Sequence, residues 1–183
     1  MTEAAPVAPF LGGERVLLRE VRPSDVTDAY HAWMNDPEIT RYLEVRFFPQ
    51  SKEEIAAYVE RSRHDRTSVL LAIVRRTDGR HIGNIRLGNV NWRHRTAEIA
   101  LVIGEKSAWG RGYATESIAL VVDYAFRVLN LHKVSAGCYG PNEASIRAFL
   151  KVGFAEEARR PQHFFCDGVY VDHVWLGILN PNG

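Results

Sequence analysis

Apolar and polar positions recur along this chain with two periods, which predict an ordered series of strands and helices. Runs dominated by apolar residues, or alternating with a period of two, predict strands, and apolar residues spaced three and four apart predict helices. The predicted strands span residues 15–21, 68–75, 80–87, 97–103, 131–139, 155–165 and 169–179. The predicted helices span residues 23–35, 51–64, 115–130 and 142–152. This order is typical of an α+β fold, an α/β sandwich around a mixed central sheet.

Local signals support several of these boundaries. Asp78-Gly79 and Cys166-Asp167-Gly168 mark the turns of two predicted hairpins. Ser51 is followed three residues later by Glu54, which predicts a capping box at the start of the second helix. Gly83, inside a predicted strand, indicates a bulge or the close approach of another backbone.

The run from Trp109 to Ala114 connects the strand at 97–103 to the helix at 115–130. Gly110 and Gly112 let the backbone bend tightly there and let a ligand approach it closely. The first amides of the helix have no partner within it, and the helix dipole makes this end positive. These features predict an anion site, most naturally for a phosphate or pyrophosphate. The alternative is a tight connection without a ligand, because short glycine motifs also occur for that reason.

This turn resembles a known cofactor signature. Residues 103–116 resemble the acetyl-CoA signature of the GNAT superfamily of N-acetyltransferases, Gln/Arg-x-x-Gly-x-Gly/Ala. Gly112 and Ala114 stand at its last two fixed positions, and Trp109 stands where Gln or Arg is usual. The tryptophan is typical of the branch that includes ribosomal-protein alanine acetyltransferases.

A second segment extends the resemblance over residues 15–177. Residues 142–154 are similar to the Asn-x-x-Ser…Lys-x-Gly-Phe segment of the same branch, and residues 33–36 and 42–47 are similar to members that acetylate amino-sugar nucleotides. The resemblance implies a mixed, mostly antiparallel sheet of about seven strands, flanked by about four helices, with a splayed central strand pair.

The resemblance also implies acetyl-CoA as a co-substrate. Its pyrophosphate would bind the main-chain amides of Arg111, Gly112, Tyr113, Ala114 and Thr115. Its pantetheine arm would enter the gap between the splayed strands, where it would contact Leu101, Val102, Ile103 and Asn142. An amine would then attack the thioester directly, with no covalent enzyme intermediate and no metal.

Two residues are candidates for proton transfer. The amine must be neutral to attack, so a base helps; Glu98, near the start of the central strand, stands where similar enzymes often carry a glutamate. The alternative is that Glu98 is exposed or pairs with Arg95, as surface carboxylates do. Many relatives protonate the departing thiolate with a tyrosine, but Phe149 occupies that position here, so Ser145 is the substitute. Ser145 could equally serve the start of its helix.

The irregular stretch at residues 39–50 is the candidate acceptor wall. In the superfamily, the first helix and the loop after it shape the acceptor pocket, and Arg41 or Arg46 could bind an acidic group of the substrate through a planar fork. The alternative is a loop packed on the core by its aromatic rings.

The acceptor is expected to be a small-molecule amine, with an amino-sugar nucleotide first and a protein N-terminus second. Polyamines and aminoglycosides come third, because they are cationic and the loop is not obviously acidic. A function of another class also stays open, a non-catalytic acyl-CoA-binding module, and Phe149 in place of tyrosine favours it.

Composition narrows the remaining classes. The 183 residues suit one domain, expected at residues 11–180 after a flexible tail at 1–10. A net charge of +1 gives no bias toward nucleic acid, and no apolar run is long enough for a membrane span. Two cysteines, Cys138 and Cys166, predict neither a disulfide framework nor a zinc site. We therefore expect a cytoplasmic protein without a metal, with the oligomeric state open and a homodimer among the options.

Overall fold

One sheet forms the centre of the structure, a computed structural model that describes residues 9–182. Its strands are β1 (Leu11–Gly12), β2 (Val16–Glu20), β3 (Val69–Arg75), β4 (His81–Asn91), β5 (Thr96–Ile103), β6 (Lys133–Tyr139), β7 (Ala155–Cys166) and β8 (Val169–Leu179). The α-helices are α1 (Asp28–Asn35), α2 (Pro37–Thr40), α3 (Lys52–His64), α4 (Tyr113–Arg127) and α5 (Glu143–Val152). Short 3-10 helices span Pro23–Asp25, Glu44–Phe47 and Lys106–Ala108.

The sheet consists of two antiparallel halves that are joined by one parallel strand pair. The strand order is β1-β2-β3-β4-β5-β6-β8-β7. The parallel contact between β5 and β6 covers only Thr96 to Glu98, which pair with Lys133 to Ser135. Beyond Glu98, β5 stays paired with β4 as far as Ile103, whereas β6 stays paired with β8 as far as Tyr139. The two strands therefore separate, and the predicted mixed sheet with a splayed central pair is confirmed.

An apolar cluster covers each face of the sheet. The larger cluster joins the sheet to α4 and α5, with Ile118 and Phe149 among its members. The smaller cluster joins β3 to α1 and α3 through residues such as Trp33 and Val59. Along β5 the two faces alternate: Ala97 and Ile99 belong to the larger cluster, so the even-numbered residues 98, 100 and 102 face the side of α1 and α3.

The prediction differs from the structure at several boundaries. The first helix is interrupted: Pro23–Asp25 forms a 3-10 turn, and α1 begins only after Thr27, whose side chain accepts a hydrogen bond from the Tyr30 amide. Asp36 ends that helix as expected but also caps the additional turn α2 by accepting from the amides of residues 38 and 39. The strand β1 is a further addition, and it lengthens the predicted seven-stranded sheet to eight.

The predicted N-terminal tail lies mostly outside the described residues. Its last residue, Phe10, is described, and it is attached to the domain. The Phe10 amide donates to the Leu18 carbonyl at 2.8 Å, and its ring packs edge-on against Tyr124 at a centroid distance of 5.1 Å.

The bulge expected at Gly83 is present in the β3–β4 ladder. Ile73 pairs with Gly83 but Val74 pairs with His81, so one residue of β4 is extra. A Cβ atom at position 83 would lie 2.2 Å from the Val102 carbonyl oxygen of β5. Only glycine fits at such a close backbone approach.

Candidate active site

The turn that follows β5 leaves the start of α4 without a side-chain cap. Gly110 and Gly112 adopt left-handed conformations with φ of 71° and 82°, and Gly112 is the N-cap residue without a capping side chain. The first amides of α4 are therefore free to bind a ligand, at the positive end of the helix dipole. Trp109 holds the turn against the strand, because its indole Nε1 donates to the Ile103 carbonyl at 2.7 Å.

A cavity of about 460 Å³, the turn groove, runs from this helix end into the gap between β5 and β6. It contains eight of the nine residues predicted to bind the cofactor: Leu101, Val102, Ile103, Gly112, Tyr113, Ala114, Thr115 and Asn142. Arg111, the ninth, is exposed, and its carbonyl accepts a hydrogen bond from Arg15 at 3.1 Å. The structure thus brings together two segments that are far apart in the sequence, the central turn and the start of α5.

The start of α5 presents Ser145 to the same groove. Asn142 caps the helix, since its Oδ1 accepts from the Ser145 amide at 3.3 Å. The Ser145 hydroxyl lies 3.5 Å from the sulfur of Cys138 on β6, and Ser145 lines the groove. Phe149 is buried and packs against Phe154 at a centroid distance of 5.0 Å. The helix therefore offers a hydroxyl to the groove one turn before the phenylalanine.

A second cavity of about 500 Å³, the α1–α3 cavity, opens on the other side of the separated strands. It shares Leu43, Leu101 and Val102 with the turn groove. Its apolar lining comes from several elements and includes Tyr30, Met34, Val45, Ile55, Tyr58 and Leu70. Its polar lining consists of Gln50, Glu54, Arg61, Asn84 and Arg86. The two cavities meet where β5 parts from β6, so two ligands could reach the same point from opposite sides.

The polar residues Asn84 and Arg86 were not foreseen from the sequence. Both lie on β4, two residues apart, and therefore on one face of the sheet. The Asn84 Nδ2 and the Arg86 Nε are buried and have no hydrogen-bond partner among the described residues. The sequence feature that could have pointed to them is the pair of alternating polar residues within the otherwise apolar residues 82–88 of this strand.

His81 fixes the orientation of the Asn84 amide. Its Nε2 lies 2.9 Å from the Asn84 Oδ1, and because an amide oxygen can only accept, Nε2 carries the proton. Burial lowers the pKa of His81, which keeps the ring neutral at pH 7. Tyr30 and Trp33 pack edge-on against the ring at 5.8 and 5.2 Å. The Asn84 Nδ2 is therefore the amide atom left unpaired.

Glu98 is the last residue of β5 that pairs with β6, where it lies opposite Ser135. It lies on the same face as Ala100 and Val102, which line the α1–α3 cavity, but it is not part of either cavity wall. Its carboxylate accepts a hydrogen bond from Asn89 at 3.2 Å. The pairing with Arg95, which was part of the alternative to a role as base, is not among the ion pairs of the described residues. Glu98 is thus about two residue rises, roughly 7 Å, from the cavity floor at Ala100.

Arg41 and Arg46 are engaged with the final hairpin. The Arg41 Nε donates to Asp167 at 2.7 Å, and Arg46 donates to the carbonyls of Arg41, at 2.8 Å, and of Phe165. Both line a third cavity beside the β7–β8 turn. Neither lines the turn groove or the α1–α3 cavity, and that they bind the acceptor stays a prediction.

Tyr139 is likewise committed to the loop. Its hydroxyl donates to Glu44 at 2.7 Å, and burial together with that hydrogen bond raises the pKa of Tyr139 to about 12.

Across residues 9–182, no helix is long and apolar enough to span a bilayer. The same residues contain no group of three His, Cys, Asp or Glu side chains placed to hold a metal ion.

Comparison with known proteins agrees with this geometry. Residues 15–155 match the family model described as an acetyltransferase (GNAT) domain. The chain is 33% identical over 172 residues to the probable N-acetyltransferase YjcK of Bacillus subtilis, covering 88% of this chain and 94% of that protein. It is 30% identical over 165 residues to the spermidine N(1)-acetyltransferase of Escherichia coli, covering 87% and 85%. A solved structure of Vibrio cholerae spermidine N-acetyltransferase in complex with CoA and spermine has a TM-score of 0.82 at 27% identity, covering 92% of this chain and 97% of that one.

Proposed function

Since the chain belongs to the GNAT acetyltransferase family, and is therefore an acyltransferase with acetyl-CoA as co-substrate, we propose that its acceptor is a small primary amine. The observation that carries this proposal is the meeting of two cavities at Leu43, Leu101 and Val102. The amine would enter through the α1–α3 cavity and the thioester through the turn groove. Their reacting atoms would meet where β5 and β6 separate.

The turn groove suits the cofactor in shape and charge. The free amides at the start of α4 and the left-handed Gly110 and Gly112 can surround a pyrophosphate. The edge of β5 from residue 99 to 103 has no ladder partner in β6, so the backbone groups on that edge, apart from the Ile103 carbonyl that Trp109 binds, are available to the amide-containing pantetheine arm. We propose that Leu101, Val102, Ile103 and Asn142 hold this arm.

The reaction needs positioning and the movement of two protons, because the ammonium form of the acceptor loses one before its nitrogen attacks and a second, which ends on the departing thiolate or in solvent, once the nitrogen has bonded to carbon. The amine nitrogen bonds to the thioester carbonyl carbon, the carbon–sulfur bond breaks, and the sulfur leaves as a thiolate. We propose that Glu98 takes the proton from the amine through one water molecule, because Glu98 lies beyond direct contact with the cavity floor. We propose that the Ser145 hydroxyl donates a hydrogen bond to the departing sulfur, since it lines the groove on the thioester side.

The comparisons change the order of acceptor candidates. The relatives with a named acceptor are spermidine acetyltransferases, so polyamines move ahead of amino-sugar nucleotides and protein N-termini as a class to test. No contact in the described residues favours a nucleotide, because Arg41 and Arg46 are already bound to the β7–β8 hairpin.

A panel of primary amines tests the proposal. CoA release from acetyl-CoA should require an amine, and mass spectrometry should show one acetyl group on that amine. Gly110→Asp should lower CoA affinity in a calorimetric titration, because it places a carboxylate beside the pyrophosphate site. A Cβ atom at position 110, where φ is +71°, would meet no heavy atom within 4 Å, so repulsion rather than a clash would cause the loss.

Gly79→Asp is the matched control. Gly79 has a φ of +68° and equally open surroundings, but it lies in the β3–β4 turn. The Gly79→Asp variant should bind CoA like the parent protein. If Gly110→Asp also binds CoA like the parent, the turn groove is not the cofactor site. CoA binding without turnover of any amine would instead support the non-catalytic alternative.

A further inference from the structure

The floor of the α1–α3 cavity contains two unpaired hydrogen-bond donors. Asn84 is only 5% exposed, and its Nδ2 has no partner among the described residues; the same holds for the buried Nε of Arg86. A buried donor without a partner destabilises the fold, because it has given up its hydrogen bonds to water and gained none in return. Two such donors in the wall of one cavity indicate a ligand group that accepts hydrogen bonds.

These donors lie one strand away from the thioester position. Asn84 pairs with Val102 and Arg86 pairs with Ala100 across the β4–β5 ladder. Neighbouring strands are about 4.8 Å apart. An acceptor molecule whose amine lies over β5 would therefore place a group only a few carbon atoms away over β4.

The guanidinium of Arg86 is weakly engaged by the protein. Its nearest ion-pair partner among the described residues, Asp65, is 3.7 Å away, and that carboxylate already accepts hydrogen bonds from Thr67 and Ser68 at 2.6 to 2.8 Å. The guanidinium lies across Gly88, where a Cβ atom would come within 2.8 Å of it. The Arg86 guanidinium thus lies close to the backbone at Gly88, and its buried Nε has no partner among the described residues.

The residues that line the α1–α3 cavity are not predominantly acidic. Arg61 and Arg86 are both in the lining, and Glu54 is the one carboxylate there. One oxygen of Glu54 already accepts from the backbone and hydroxyl of Ser51 in the capping box of α3. The lining residues therefore carry two positive charges and one negative charge, while the Asp65 carboxylate near Arg86 and the Glu98 carboxylate lie just outside the lining.

We propose, on the basis of the acetyltransferase function above, that the acceptor is a short amine that carries an anionic group, a carboxylate or a phosphate, bound by Arg86 and Asn84. The apolar walls around Met34, Ile55 and Tyr58 add a preference for an acceptor with an apolar side chain. His81 acts as a positioning residue, since it turns the free Nδ2 of Asn84 toward the anion.

Matched pairs of amines test this substrate class. L-phenylalanine is compared with phenethylamine, which lacks the carboxylate. β-Alanine and 2-aminoethylphosphonate are each compared with ethylamine, which lacks the anionic group. Spermidine is included as a polycation. In each pair the anionic member should have a kcat/KM about tenfold to a hundredfold higher, as expected for charge-assisted hydrogen bonds. The two ethylamine comparisons distinguish a carboxylate from a phosphate-like group. The inference is overturned if spermidine or the neutral members are preferred.

Variants assign the preference to named donors. Arg86→Gln should raise KM for the anionic member and leave the neutral member unchanged. Gly88→Val, which keeps the charge but displaces the guanidinium, should weaken the same preference. Arg66→Gln removes an equal charge from an exposed position that lines neither the turn groove nor the α1–α3 cavity and should behave like the parent. An Arg86→Gln variant that affects both members equally contradicts the proposal.

A binding measurement separates this inference from the proposed function. L-phenylalanine and phenethylamine are titrated into the protein saturated with CoA, which has no acetyl group to transfer. Tighter binding of the amino acid, lost in Arg86→Gln, supports the anion site even if no amine is acetylated, in which case only the proposed function falls. Equal binding of the two compounds overturns the anion site even if other amines are acetylated.

Discussion

At the scale of single residues, the proposed role of Glu98 as a base acting through water rests on its place in β5. It is the last residue of β5 that still pairs with β6, and it faces the side of the sheet on which the amine would enter. Its only hydrogen-bond partner within residues 9–182 is the Asn89 amide, which leaves carboxylate lone pairs for a water molecule.

We expect Glu98→Gln to lower kcat by about a hundredfold or more at neutral pH, the usual contribution of a general base. The deficit should be largest below the pKa of the amine and should shrink above it, because the free amine then needs no base. The measurement is a kcat profile from pH 6 to 10, with Glu53→Gln on the exposed side of α3 as control. A variant profile parallel to that of the parent would remove Glu98 as the base.

Most residues of the turn groove were accessible from the sequence, and those of the α1–α3 cavity were not. Most of the groove is built from two segments, residues 101–115 and 142–151, each of which carries its own local signal, and residues 38–43 add a third wall that no local signal marked. The other cavity collects single residues from α1, the following loop, α3, β3, β4 and β5. Arg41 shows the same limit, since its partner Asp167 lies 126 positions along the chain. Such contacts depend on tertiary packing, which hydrophobic periodicity does not specify.

At the scale of elements, periodicity predicted which segments form strands and helices but was less accurate at their ends. The helix expected at 23–35 is divided, because Thr27 caps α1 and leaves Pro23–Asp25 as a separate turn. The strand expected at 80–87 continues to Asn91 as β4. In both cases a local hydrogen bond or a ladder partner, rather than the apolar pattern, decides where the element ends.

The packing of α1 on β5 depends on Gly104. A Cβ atom there would lie 2.1 to 2.4 Å from ring atoms of Trp33, a buried residue of α1. We expect Gly104→Ala to destabilise the protein by about 1–3 kcal/mol, the usual cost of overpacking. It should also raise KM for the amine more than the Kd for CoA, because α1 supplies Tyr30 and Met34 to the α1–α3 cavity.

Urea unfolding and steady-state kinetics measure these two effects. Gly12→Ala is the control, since a Cβ atom at that position meets nothing within 4 Å, and it should unfold at nearly the same urea concentration as the parent. A Gly104→Ala protein with parental stability would show that Trp33 can move aside without cost.

At the scale of the whole molecule, the two halves of the sheet pair with each other over only a short stretch. Three parallel residue pairs join β5 to β6, and packing between α4 and α5 adds a second connection. The gap between the halves is where the turn groove extends. A ligand that contacts both β5 and the start of α5 would therefore tie the halves together. The oligomeric state is a separate matter, and a homodimer, which was one of the options left open, stays a prediction.

We accordingly expect CoA to stabilise the whole fold. At a free concentration one hundred times Kd, binding contributes about 2.7 kcal/mol, which for a chain of this length raises Tm by roughly 5–10 °C. Hydrogen exchange should slow most at the start of α4 and at those amides of residues 99–103 of β5 that point away from β4, because these amides have no backbone partner and are free to bind the ligand. The edge strand β7, which is mostly exposed and far from the gap in the strand order, should change little. Gly110→Asp should lose both effects and Gly79→Asp should keep them, because the second variant alters only a distant hairpin turn. Protection spread evenly over all strands, without a maximum at β5, would mean that the ligand binds outside the gap and that the connection between the halves does not pass through it.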